Sequence, residues 1–217
     1  MSGGMGIVFV VFDESLDRHF ALKTLKDEFL TSQARMQGLL RECAVTLNVK
    51  GSDKIVQAYF AREFEGRPGL LMEYVDGSSL RLIVGKLDER RVIEIALRIC
   101  HGMIYLHNFM LIAHLDLKPE NILVGSSGTV KITDFGIGDF LRSQAFLTSR
   151  NLLVPDRNAM GTCAYMSPEQ WTGSGIGKAP DVYSFGIILF ELLTGHEPID
   201  WRPSGYVAAF GFFNGFM

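Results

Sequence analysis

The chain has 217 residues, 47% of them hydrophobic, which is enough apolar content to bury a core in one large domain or two small lobes and which excludes a disordered chain. Lys and Arg number 21 against 24 Asp and Glu, and the resulting net charge of −3 gives no electrostatic basis for binding nucleic acid or an anionic membrane. The three cysteines, Cys43, Cys100 and Cys163, are odd in number and lack a CxxC pair, which argues against a disulfide framework and a zinc site and points to a reducing, cytoplasmic setting.

The opening segment MSGGMGIVFVVF has no basic flank and runs into Asp13 and Glu14, so it does not read as a signal peptide. Residues 7–12 and 20–25 are β-rich runs separated by a polar turn around Asp13 to Arg18, which predicts a hairpin. From about Thr31 to Val49 the apolar positions suit a helix, and residues 69–75 read as a buried strand. Beyond Gly77 the character changes. A long amphipathic helix is expected over 88–108, and residues 121–136 read as two short strands around a Gly-Ser turn. Residues 180–194 predict a helix apolar on nearly every side, stopped by Gly195. The apolar stretch 182–193 contains Glu191 and falls short of the ~20 residues a membrane span needs, so no membrane segment is expected. The expectation is an α+β fold with a small β-rich N-terminal lobe, residues 1–76, and a mainly helical C-terminal lobe, residues 77–217, joined near Glu73 to Gly77.

Four groups of residues carry chemistry. Gly3, Gly4 and Gly6 form a glycine-rich turn ahead of a strand, where missing side chains let backbone N–H groups approach phosphate oxygens. In FALKTL the period of two puts Ala21, Lys23 and Leu25 on one face, so a cation sits on an apolar, inward-looking surface and is costly unless paired. Glu42, between Leu39 and Val45 on the following helix, offers a partner; two ordinary surface charges are the alternative. In HLDLKPENILV, Asp116, Lys118 and Asn121 lie on a loop that Pro119 keeps from continuing as a helix. Asp134 of the DFG triplet lies at the end of the second strand of the 121–136 hairpin, whose turn brings Asn121, at the start of the first, beside it. Two hard oxygen donors side by side, with room for phosphates and water, suit Mg²⁺.

In these motifs the chain resembles a Ser/Thr protein kinase domain of the bacterial or archaeal kind, over nearly all of residues 1–198 in order. The resemblance implies a two-lobed kinase-like fold and transfer of the γ-phosphate of Mg-ATP to Ser or Thr hydroxyls of protein substrates. It assigns Gly3, Gly4 and Gly6 to the phosphate loop, Val8 and Ala21 to the nucleotide pocket, Lys23 to the α- and β-phosphates and Glu42 to its ion pair. Met72 would guard the back of the pocket, Glu73 to Val75 would be the hinge that reads adenine, and Leu123 the pocket floor. Asp116 matches the catalytic base, Lys118 the cation that neutralises the phosphoryl group, and Asn121 and Asp134 the metal ligands. Lys118-Pro119-Glu120 and Thr162 favour Ser/Thr over Tyr substrates, and Asp181 resembles the buried acid that ties the catalytic loop to the helical core.

Against the family pattern, Met1 stands at the first glycine position, Leu115 replaces an arginine that binds a phosphorylated activation loop, and Ser167 replaces an alanine. Leu115 implies that phosphate on the 137–160 loop is not obligatory. The resemblance further implies a domain truncated at both ends, with an incomplete C-lobe, and the tail 205–217 resembles no part of the family. An inactive kinase-like nucleotide-binding or scaffold module, or a non-functional fragment, is the alternative reading. A small-molecule phosphotransferase is disfavoured by the GTCAYMSPE segment.

Overall fold

The computed structural model describes residues 6–64, 66–134, 164–172 and 177–198. Its first layer is a four-stranded antiparallel sheet of β1 (Gly6–Asp13), β2 (Arg18–Leu25), β3 (Ala58–Phe64) and β4 (Arg67–Glu73), in the order β1-β2-β4-β3. The predicted hairpin forms for a local reason. Asp13 Oδ1 accepts from the Ser15 and Leu16 N–H groups at 2.9 and 3.1 Å, a side-chain mimic of a backbone turn. Helix α1 (Gln33–Asn48) packs on this sheet, and Leu25, Leu39, Cys43, Val56, Ala58 and Leu70 are buried between them.

The second half is built on α2 (Glu89–Ile104), capped by Asp88, whose carboxylate accepts from the Arg91 N–H at 2.7 Å. The expected helix over 88–108 continues past α2 as one π-helical turn, Tyr105–Phe109, closed by a Met110 N–H to Tyr105 carbonyl bond. A small sheet of β5 (Gly77–Ser79), β6 (Ile122–Gly125) and β7 (Val130–Ile132) lies against α2. A short helix α3 (Pro168–Thr172) precedes α4 (Ala179–Thr194), which ends where Gly195 takes φ +80° and donates to the Glu191 carbonyl. Ile95, Ile99, Leu106, Leu117, Ile122, Ile132 and Ile188 form the fully buried core of this half. Each such side chain contributes roughly 1.5–3 kcal/mol relative to exposure. No helix among the described residues is long and apolar enough to cross a membrane.

The chain crosses from one sheet to the other at Tyr74 to Asp76, and Gly77 begins β5 pressed against β6. A Cβ there would lie 2.1 Å from the Val124 carbonyl oxygen and 2.6 Å from Gly125 Cα, backbone atoms that have no room to yield. Gly77→Ala is therefore expected to destabilise the fold by about 1–3 kcal/mol, the usual range for overpacking, read as a lower denaturant midpoint with an unchanged slope.

Candidate active site

Strand pairing aims the site's first cation. Lys23 is buried in β2 on the face shared with Ala21 and Leu25, opposite Val8 on β1 and Leu70 on β4. Its ammonium lies 2.8 Å from Asp134 Oδ1. A Cβ at Gly6 would make an ordinary contact with Lys23 Cε at 3.5 Å and a tight one with the Thr24 carbonyl oxygen at 3.3 Å. Asp134 follows β7 with φ +62°, a left-handed conformation that Asp tolerates better than most residues. Burial pushes the Asp134 carboxyl up, but the Lys23 charge and hydrogen bond, aided by the Thr133 hydroxyl 3.3 Å away, hold it below its ordinary value. Sequence reasoning gave Lys23 the partner Glu42 and missed Asp134, 111 positions further along the chain. Glu42 lies on α1, and its side chain falls outside the described residues.

The loop before β6 gathers the remaining polar groups. Lys118 Nζ lies 2.9 and 3.1 Å from the two Asp116 carboxylate oxygens. Asn121 Nδ2 donates to the Asp116 carbonyl at 2.8 Å and to its Oδ2 at 3.1 Å. Pro119 starts a single 3₁₀ turn, Pro119–Asn121, that delivers Asn121 to this position. The Thr133 N–H donates to the Asn121 carbonyl at 3.0 Å, and Ile122 pairs with Ile132, so the hairpin brings Asn121 beside Asp134 as its turn implied.

A separate apolar cluster joins the two sheets. Ala21 and Met72, register partners on β2 and β4, are buried, and Val8, Val75 and Leu123 pack against them. The five positions the sequence assigned to a nucleotide pocket are thus brought together. Glu73 ends β4 beside them, with its N–H bonded to the Gln57 carbonyl at 2.8 Å. Gly3, Gly4, Thr162, the 137–160 loop and the 205–217 tail lie outside the described residues.

A model of the protein kinase domain matches residues 2–206. This chain belongs to the protein kinase domain family. It is 40% identical over 202 residues to the probable serine/threonine-protein kinase PknB of Lactococcus lactis, a match covering 91% of this chain and 31% of that protein. PknB of Mycobacterium tuberculosis is 35% identical over 205 residues, 90% of this chain and 31% of that protein. Mitogen-activated protein kinase kinase 9 of Arabidopsis thaliana is 34% identical over 226 residues, 96% of this chain and 68% of that protein. The chain spans about a third of the length of these two bacterial kinases.

In this kinase domain the loop that carries Asp116 hangs from α4. Asp181, 1% exposed, accepts from the backbone N–H groups of His114 and Leu115, each at 2.7 Å, and contacts His107 Nε2 at 2.7 Å. Leu115, at the position of the expected arginine, is held at φ +63°, and its carbonyl accepts from Gln170 Nε2 at 3.0 Å. A leucine in that conformation costs roughly 1–2 kcal/mol, so the two hydrogen bonds over-determine it. His114 is fully buried and neutral in form: its Nε2–H donates to the Thr133 carbonyl at 3.0 Å while Nδ1 accepts from the Asp116 N–H at 3.3 Å. Burial holds its pKa below the ordinary 6.5, outweighing the nearby Asp181 and Asp116 charges.

A second network went unread in the sequence. Arg81 ion-pairs with Glu120 at 2.7 Å and with the buried Glu191, and hydrogen-bonds the Tyr165 hydroxyl, which itself donates to Glu191 at 2.6 Å. Glu191 inside an otherwise apolar helix was the available signal, since a buried carboxylate demands a cationic or hydrogen-bonding partner.

Two outcomes are expected. Asp181→Ala strands two buried N–H groups at about 1–3 kcal/mol each, so unfolding free energy should fall by more than about 2 kcal/mol in denaturant titration. For His114, the unfolded chain takes up a proton below pH 6.5 that the folded chain refuses. Stability is therefore expected to fall as pH drops below that value, by up to about 1.4 kcal/mol per pH unit, and the slope should flatten in His114→Gln.

Proposed function

We propose that this kinase domain transfers the γ-phosphoryl group of ATP, with Mg²⁺, to Ser or Thr hydroxyls of protein substrates. The observation that carries the reading is the convergence of Lys23, Asp134, Asn121, Asp116 and Lys118 next to the apolar cluster of Val8, Ala21, Met72, Val75 and Leu123. The cluster suits an adenine ring, with the Glu73 to Val75 backbone at its edge. Lys23 is poised for phosphate oxygens, and the glycines at 3, 4 and 6 suit a backbone cradle above them. Residues 1–76 are read as the nucleotide-holding lobe and 77–217 as the catalytic and substrate lobe.

Asn121 and Asp134 fit Mg²⁺ by chemistry, since one is a carboxylate held ionised and the other an amide whose nitrogen is committed to Asp116, which turns its oxygen the other way. When bound, the ion neutralises charge on the phosphates. Asp116 is the group that accepts the proton of the attacking hydroxyl. The new bond forms between that oxygen and the γ-phosphorus as the bond to the bridging oxygen breaks and ADP leaves. Lys118, bonded to both Asp116 oxygens, orients that carboxylate and offers a cation to the moving phosphoryl group. Three cysteines without a CxxC pair and a balanced charge suit a cytoplasmic enzyme without nucleic-acid partners.

The test is phosphoryl transfer from labelled ATP to a generic basic protein, with phosphoamino-acid analysis of the product. Wild type should label Ser and Thr and leave Tyr unlabelled. Asp116→Asn and Lys23→Met should each reduce kcat by at least about 10²-fold, the scale of losing a general base or a phosphate-binding charge, and Asp116→Asn should still bind ATP. Labelling unaffected by both substitutions would refute the assignment.

A further inference from the structure

Beside the apolar cluster lies an ion pair that the chemistry above does not use. Lys131 Nζ sits 2.9 Å from Glu73 Oε2, and the two side chains are only 11% and 20% exposed. The pair spans the two sheets. Glu73 is the last residue of β4, between Met72 and the Tyr74 to Asp76 crossing, while Lys131 is the central residue of β7 and the register partner of Leu123. Because register partners share a face, Lys131 points to the side of the sheet that Leu123 covers.

The surroundings make this more than a surface contact. Glu73 Oε2 also accepts from the Gln57 N–H at 3.2 Å, and the Glu73 N–H returns a bond to the Gln57 carbonyl at 2.8 Å. Segment 54–57 is in turn stitched to β7, with the Val56 N–H donating to the Ile132 carbonyl at 2.9 Å and the Ile132 N–H to the Lys54 carbonyl at 2.8 Å. On the other side of the crossing, Asp76 accepts from the Ser126 N–H at 2.7 Å and from its hydroxyl at 3.0 Å. The crossing is therefore clasped to the second sheet at both of its ends. Of these ties only the Glu73–Lys131 pair joins, side chain to side chain, the strand carrying Met72 to the strand facing Leu123.

We propose that the Glu73 carboxylate and Lys131 are positioning residues for the nucleotide: their ion pair fixes the separation of the Met72/Val75 wall from the Leu123 floor, and so sets affinity for the adenine end of ATP. A pair that preorganises the empty pocket spares the ligand the cost of ordering it, and that contribution appears in binding rather than in the chemical step. The inference rests on the nucleotide reading of the cluster.

The experiment measures KM for ATP and kcat in the full chain, with adenosine and tripolyphosphate binding followed by calorimetry. Lys131→Met and Glu73→Gln are each expected to raise KM for ATP and the Kd for adenosine about fivefold, equivalent to about 1 kcal/mol for a partly buried pair. In Lys131→Met the tripolyphosphate Kd and kcat should stay within about twofold. Glu73→Gln keeps an acceptor for Gln57, so it isolates the charge. The double variant should lose no more than either single one, because both remove the same interaction, and Lys131→Arg should restore wild-type affinity. Multiplicative losses to about 25-fold in the double variant would overturn the proposal, as would a change in kcat with adenosine binding unmoved. A wild type that binds no adenosine would remove the nucleotide reading itself, whereas wild-type binding matched by the variants would remove this inference alone.

Discussion

The carboxylate of Asp181 is the interaction on which the second half of the molecule depends. It is buried in α4, and both of its oxygens are engaged by backbone N–H groups of the loop that carries Asp116. A side chain rather than a strand partner thus supports the loop, which leaves its own polar side chains free to face one another. The left-handed Leu115 is tolerable only because Asp181 and Gln170 grip it from both sides. From that fixed point the hydrogen bonds run outward in sequence: Asp116 to Lys118 and Asn121, Asn121 to Thr133, Thr133 to Asp134, and Asp134 to Lys23.

That chain of contacts also joins the β-rich layer to the helical layer. Lys23 belongs to the first sheet and Asp134 follows the second, so their ion pair closes a path that otherwise runs through the Tyr74 to Asp76 crossing. Arg81 performs a comparable office elsewhere in the molecule, tying Glu120 of the loop before β6 to Tyr165 and to Glu191 of α4. Buried charges are expensive in isolation, and in both places the expense is offset by geometry that leaves each with close partners.

Much of this was legible in the sequence because it is encoded locally. Lys23 declared itself by alternation within a single strand, and Asp116, Lys118 and Asn121 by lying within six residues around a proline. The β1–β2 and β6–β7 hairpins were readable from their turns. Strand β3 was not, since its residues after Ala58 are exposed or half-exposed and show no period of two. Partners distant in sequence were equally hidden: nothing in the vicinity of Glu73 announces Lys131, and nothing near Arg81 announces Glu191. Periodicity reports which way a side chain faces, whereas the identity of what it meets is settled by topology.

The π-helical turn after α2 makes one further demand. A turn closed from residue i to i+5 accommodates one residue more than an α-helical turn, so every residue after Tyr105 is rotated relative to where an uninterrupted helix would have left it. The stretch from Met110 to His114 begins from that rotated position and must still reach Asp181. The spacing between Ile104 and His114 is consequently a fixed count, and a single-residue deletion there would act as a frame error in space: each side chain would survive, but the loop would meet α4 with the wrong backbone groups.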